Sequence, residues 1–352
     1  MLLLVGAYTM DMPNDVPGKA RGISAYDFYP GEGRLEFRAY TPTVNPSYLW
    51  VDNTRKVVYA IRECPQEGGP GVVAYHVSRD KKRGVRFEQL SDVLTPGDHP
   101  CHLTGIGDTL IVSSYTSGTV DVFARKEDGA IGEHRQHFQL PVAGAGRPPH
   151  AHCAVFDARR SRVYICDLGG DRLRVFDRQE KDGTLHLLPD HGLNLPEGAG
   201  PRHIALHPSG DYAMIVCEYR GISVLVDLRG DKPRLLDTTL YLPERVADEA
   251  SGAAIRVDAT GRNVYVSDRK YSVVTALRFD PASHRYQPRD TYPSGGEAPR
   301  EVSLSPDGKW LLTGNVKDHS VGVFRIQAGG GLQAYQVVKK VPSPTCLKWM
   351  KL

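Results

Sequence analysis

GPRHIALHPSGDYAMIVCE, Gly200–Glu218, sets two short apolar runs on either side of a polar turn. A turn around Ser209 and Gly210 folds the runs into an antiparallel hairpin. Arg202 and Glu218 then stand side by side at its open end. The same unit recurs along the chain, and its count decides the fold.

Second runs such as KVVYAIRE, TLIVSSY, RVYICDL, NVYVSDR and WLLTGNV are short and β-branched or aromatic, and Gly, Pro, Asp or Asn bound them. No amphipathic helix of useful length lies between them. Each is preceded by a related segment: NPSYLWVDN, HPCHLTGIG, HAHCAVFDA, PRHIALHPS, GAAIRVDAT and PREVSLSPD, with SPTCLKWM near the C-terminus. The anchors Pro46, Pro100, Pro149, Pro201, Gly252, Pro299 and Pro344 recur at intervals of 45 to 54 residues. That period is the length of a four-stranded propeller blade.

The chain opens on what reads as a second strand, LLLVGAY, followed by GISAYDF and RLEFRAYT, and closes on an orphan first strand, TCLKWM. One blade is therefore expected to combine three N-terminal strands with one C-terminal strand, leaving no free edge at the junction. The prediction is an all-β, seven-bladed β-propeller with four antiparallel strands per blade, spanning residues 1–352 as a single domain. The Gly-His and Trp-Asp signature of WD repeats is absent.

Composition narrows the function. The 352 residues are 40% hydrophobic and 24% charged, with a net charge of +3, which is too small and too scattered for a nucleic-acid surface. The run RDKKR, Arg79–Arg83, reads as a solvated hairpin turn. Six cysteines lie far apart without a CxxC pair, which fits neither a zinc module nor a small disulfide scaffold. The N-terminal MLLLVGAY lacks the features of a signal peptide, and no apolar run reaches membrane-spanning length. A reduced, cytoplasmic protein with no nucleic-acid or membrane partner is expected. Its oligomeric state is unknown from sequence.

The turn residue after each first strand gives a ruler: Asn53, Ala158, Pro208, Ala259 and Pro306. Six positions earlier stand Ser47, His152, Arg202, Ala253 and Arg300; ten positions later stand Glu63, Leu168, Glu218, Arg269 and Val316. These positions face one another across antiparallel pairs. In a propeller the two innermost strands line the channel, so they converge on one mouth. A single Arg–Glu pair at a hairpin end is usually structural. Polar groups at equivalent positions of successive blades, three of them arginines, point instead to an anion site.

His150 and His152 are spaced to project from one face of a strand, as two metal ligands do. Three arginines oppose a divalent cation there, so neither metal nor cofactor is expected. His152 falls on the ruler and is the better catalytic candidate; His150 is a candidate substrate contact. The glycine run AGGGL, Ala328–Leu332, lacks the Lys and helix of a phosphate loop and reads as a hairpin turn.

The segments LLLVGAYT, NPSYLWVD, YAIRE, HPCHL, YTSGTVDVF, HAHCAVFD, GPRHIALHPSGDYA, VYVSDR and APREVSLSPDGKWLLTGN together resemble the seven-bladed propeller lactonase family. That family includes propeller-type 6-phosphogluconolactonases and fungal 3-carboxy-cis,cis-muconate lactonizing enzymes. The resemblance runs from Leu2 to Trp349. In the lactonizing branch a His, an Arg, a Glu and a second Arg form the proposed site, and by motif these fall on His152, Arg202, Glu218 and Arg269. The chain departs from the commoner pattern in the short GIGDTLIV turn of blade two, in Cys217 before Glu218, and in VSDR, where Asp268 adds a negative charge beside Arg269.

The resemblance implies hydrolysis of a small anionic, sugar-derived lactone, with 6-phosphogluconolactone the first candidate. Glu218 or His152 would take a proton from water, and Arg202 and Arg269 would hold the developing oxyanion. Arg300, Lys270, His150 and Glu63 would contact the rest of the substrate. The alternatives are cyclisation of 3-carboxy-cis,cis-muconate by the same groups and a non-catalytic propeller that binds a ligand at the mouth.

Overall fold

The computed structural model describes residues 1–13, 15–80 and 84–352. Seven antiparallel sheets form the ring. Blade 1 runs Leu49–Asp52, Val57–Arg62, Gly71–Asp80 and Gly84–Leu94 from the channel outward. The innermost strands of blades 2 to 6 are Pro100–Ile106, Ala151–Asp157, Pro201–Leu206, Gly252–Val257 and Pro299–Leu304. Blade 7 is built from both chain ends, as expected. Pro344–Met350 pairs with Leu2–Ala7 in a register running from Leu2 opposite Met350 to Ala7 opposite Pro344. Gly22–Tyr29 and Arg34–Pro42 complete it.

The alternation of apolar residues follows from where each strand sits. Second strands such as Leu2–Ala7 and Tyr212–Cys217 are buried at every position, because neighbouring blades cover both faces. Outer strands such as Arg34–Pro42 are exposed or half-buried throughout. The core therefore lies between blades. Met214, Val216 and Leu225 of blade 4 pack on Ile255, Val264 and Leu277 of blade 5. Each such side chain contributes about 1.5–3 kcal/mol on burial.

Blade 3 departs from four regular strands. Its outer strand is split into Leu185–Leu187 and Leu193–Asn194, both paired with Arg172–Arg178. A 3-10 turn at Pro189–His191 interrupts it, and Pro189 has no N–H to continue the ladder. The glycine run Ala328–Leu332 forms the expected turn between Ser320–Ile326 and Leu332–Lys339. In the charge run after Arg79, Lys81–Arg83 lie outside the described residues; Arg79 itself pairs with Asp27. All six cysteines are buried and unpaired. Among the described residues no helix is long and apolar enough to cross a membrane.

Candidate active site

The innermost strands of blades 2 to 7 each carry a β-bulge near the channel mouth. In blade 4, Pro201 pairs with Cys217 and His203 with Val216, so Arg202 is the extra residue. The same irregularity leaves Cys101 unpaired in blade 2, His152 and Cys153 in blade 3, Ala253 and Ala254 in blade 5, Arg300 in blade 6 and Thr345 in blade 7. A bulge re-aims a side chain without breaking the strand. Here it delivers Cys101, His152, Arg202 and Arg300, from blades 2, 3, 4 and 6, to the same end of the channel. The opposing position is the first residue after each second strand: Tyr8, Glu63, Tyr115, Leu168, Glu218, Arg269 and Val316.

All of these except Cys153, Leu168, Ala253, Ala254 and Thr345 line a cavity of about 940 Å³. His152, Arg202, Glu218, Arg269, Arg300, Lys270 and Glu63 share it; His150 does not. The blade 3 bulge separates the two histidines that regular strand alternation places together. His150 stacks on Tyr115 with ring centroids 4.5 Å apart, and its Nδ1 lies 2.9 Å from the Tyr115 carbonyl oxygen. It supports the wall rather than contacting the cavity. Lys270 reaches the rim, where its ammonium donates to Glu249 Oε2 at 2.6 Å. Tyr8 and Tyr115 were missed by the sequence ruler.

Glu218 sits between two arginines. Arg269 Nη2 donates to its Oε1 at 2.5 Å, and Arg202 Nε lies 3.3 Å from its Oε2. Arg202 is 3% exposed and also donates from Nη1 to the Ala253 carbonyl at 2.6 Å. Arg269 Nε donates to Ser251 O at 3.2 Å. Burial works against ionisation of Glu218, but Arg269, Arg202 and Arg300 outweigh it and hold the carboxyl below its usual value. Burial lowers Arg202 to about 10, assisted by repulsion from Arg300 and Arg269.

His152 is buried, and its Nδ1 has no hydrogen-bond partner among the described residues. Burial, then the charge of Arg202, pushes its imidazole well below the ordinary histidine range, so the ring is neutral at neutral pH. Its neighbour His203 lies 5.2 Å away between ring centroids.

On the opposite wall, Tyr8 donates to Glu63 at 3.2 Å, and Ser47 also donates to Glu63. The Arg300 guanidinium lies 5.3 Å above the Tyr8 ring. Burial opposes its charge, but Tyr8, Glu63 and Glu218 raise its pKa. Among the described residues the Arg300 guanidinium makes no hydrogen bond or ion pair.

Asp268 does not reduce the positive charge of the mouth in the way its place beside Arg269 suggests. Its carboxylate is buried and accepts bonds from Ser251 N, Tyr271 N and the Tyr241 hydroxyl. It closes a turn behind the site. Gly200 fits a tight approach at the blade 4 entrance: its φ is 64°, and a Cβ there would lie 2.6 Å from the Tyr219 ring.

The cavity thus gathers the guanidinium groups of Arg202, Arg269 and Arg300 with the carboxylates of Glu63 and Glu218 and a neutral imidazole, while Glu249, Glu297, Lys270 and Lys317 also line it. This set suits an anionic substrate on which negative charge develops. Cys101 also lines the cavity, but burial raises its thiol well above the usual value, so it is not a poised nucleophile.

Known proteins carry the same architecture. The chain is 28% identical to the 6-phosphogluconolactonase of Bacillus subtilis (strain 168), over 98% of this chain and 97% of that protein. It is 24% identical to the 6-phosphogluconolactonase of Formosa agariphila over 92% of each. The periplasmic gluconolactonase of Pseudomonas aeruginosa superimposes with a TM-score of 0.89 at 25% identity, covering 100% of this chain and 99% of that one. The model of the lactonase seven-bladed β-propeller family matches residues 2–349, and the chain belongs to that family.

Proposed function

We propose that this protein hydrolyses 6-phosphogluconolactone to 6-phosphogluconate, with His152 as the base that activates water. The observation that carries the mechanism is the neutral, unpartnered His152 beside the Arg202–Glu218–Arg269 cluster in an open cavity. The 6-phosphogluconolactonase relatives support the substrate class.

In the proposed pose the lactone carbonyl points at Arg202 and Arg269. His152 takes a proton from water as its oxygen attacks the carbonyl carbon. The resulting oxyanion is held by the two guanidinium groups, which Glu218 keeps in place. Collapse of the intermediate breaks the ring C–O bond, and the proton on His152 passes to the departing alkoxide. Arg300, the mouth's unpaired arginine, takes the phosphate. Lys270 is less suited to that role, because Glu249 already pairs with it.

A cytoplasmic location belongs to the same proposal and is supported by six unpaired thiols. Cell fractionation tests it, since the Pseudomonas protein is named as periplasmic.

The experiment for the reaction is a panel of 6-phosphogluconolactone, unphosphorylated gluconolactone and 3-carboxy-cis,cis-muconate offered to the purified protein. The phosphorylated lactone is expected to give the highest kcat/KM. Turnover of the muconate alone assigns the site to cyclisation, and turnover of none assigns it to binding.

A further inference from the structure

A second polar cluster lies on the outer part of blade 2, on strands that do not form the channel wall. Asp121, on the third strand Thr119–Arg125, is 0% exposed. Among the described residues no lysine or arginine pairs with it. His134 Nε2 and His137 Nδ1, both on the outermost strand Ile131–Gln139, each lie 2.8 Å from the same carboxylate oxygen, Oδ1. The other oxygen accepts from Thr95 Oγ1 at 3.0 Å.

Histidines three apart on a regular strand point to opposite faces. Here His137 stands opposite Asp121, Gln136 opposite Val122 and His134 opposite Phe123, so Arg135 is an extra residue. The bulge turns His134 to the face that His137 already occupies. Phe123 packs on the His134 ring, with centroids 4.8 Å apart. The two side chains remain 33% and 41% exposed, so solvent reaches the cluster from outside while the carboxylate closes it from within.

We propose that Asp121, His134 and His137 form a divalent-metal site, fitted to zinc, with water as the fourth ligand. The three donor atoms lie within 4.8 Å of one another. Tetrahedral zinc with bonds of about 2.0–2.1 Å sets its ligands roughly 3.3 Å apart. Each ring must therefore retreat by about 0.5 Å from its hydrogen-bonding position, a small adjustment for half-exposed side chains. Each ring nitrogen facing Asp121 gives up its proton, by release or by transfer to the other ring nitrogen, and binds metal instead. Thr95 holds the carboxylate as metal-site partners do, by a hydrogen bond to the oxygen that does not bind the ion. Bound zinc would tie the outer two strands of blade 2 together and compensate a buried carboxylate that has no lysine or arginine partner among the described residues. The site is separate from the channel mouth, whose arginines disfavour a cation.

The test uses tag-free, full-length protein stripped with EDTA. Titration calorimetry with Zn²⁺ is expected to show one ion per chain, Co²⁺ to give the intense visible bands of tetrahedral coordination, and zinc to raise the melting temperature. The double variant His134→Ala/His137→Ala, changed only at half-exposed positions, should lose all three responses. Thr95→Val should weaken zinc binding about tenfold or more. Lactone hydrolysis should be the same in stripped, zinc-loaded and double-variant protein. Absence of a stoichiometric zinc isotherm in the parent overturns the proposal. So does an isotherm that the double variant retains, or Co²⁺ binding without tetrahedral bands.

Discussion

Replacing His152 with Gln removes a base while keeping a neutral polar side chain of similar reach. General-base catalysis contributes about 10²–10⁴-fold, or about 3–5 kcal/mol of barrier, and kcat should fall by that factor. Stability should change little. Among the described residues His152 Nδ1 has no hydrogen-bond partner, and the ring's neighbours include His203 at 5.2 Å and Tyr115 at 6.2 Å. A cost of about 1 kcal/mol fits the usual range for such a change. The assay is proton release as the lactone opens to its acid, with the buffer rate subtracted, beside a thermal melt of each protein. The pH profile adds an independent check. A base works only unprotonated, and His152 is held well below 6.5 by burial and Arg202, so the parent's acid limb should lie well below that pH. Arg202 is lowered to about 10, so oxyanion binding should fail as pH rises through that value. Between these limits kcat/KM should be flat. Near-parental turnover in His152→Gln would refute the assignment and transfer the base to Glu218.

Three further outcomes follow from the same geometry. Glu218→Gln should lower both turnover and stability, because Arg202, at 3% exposure, loses its counter-ion. Breaking such a buried pair costs about 3 kcal/mol, or roughly 4 °C for a chain of this length at about 2.1 cal/mol/K per residue; an unchanged melt would show that the pair is solvent-screened. Arg300→Gln should raise KM for the phosphorylated lactone about tenfold or more and leave unphosphorylated gluconolactone unaffected; equal losses on both would remove Arg300 from phosphate recognition. Deleting residues 343–352 should destabilise the whole ring, since it strips the partner of Leu2–Ala7 and uncovers Leu3, Val5 and Phe28; a parental melting temperature would contradict closure by the two chain ends.

The ring was legible in sequence because every blade repeats the same apolar alternation, and because TCLKWM supplies the strand that LLLVGAY lacks. Arg202, Glu218, Arg269, Arg300 and His152 were legible because the bulge and the strand end recur at fixed distances from one turn. Tyr115 escaped because the shorter turn of blade 2 shifts that distance. Tyr8 escaped because its blade is divided between the chain ends. Counting to the first residue after each second strand would have found both. His150 was misplaced for a physical reason: simple alternation puts it beside His152, and the bulge that turns His152 into the mouth breaks that alternation. Burial was also out of reach. The sequence suggests a solvent-screened Arg202–Glu218 pair worth about a kilocalorie per mole, whereas bulge and ring closure together enclose Arg202.

A crystal structure of the protein with 6-phosphogluconate bound tests the central claim most directly. The product carboxylate should lie within hydrogen-bond distance of Arg202 and Arg269, next to His152, with its phosphate against Arg300. A product molecule held elsewhere on the ring, or one bound in the mouth with its ends reversed, would contradict the account.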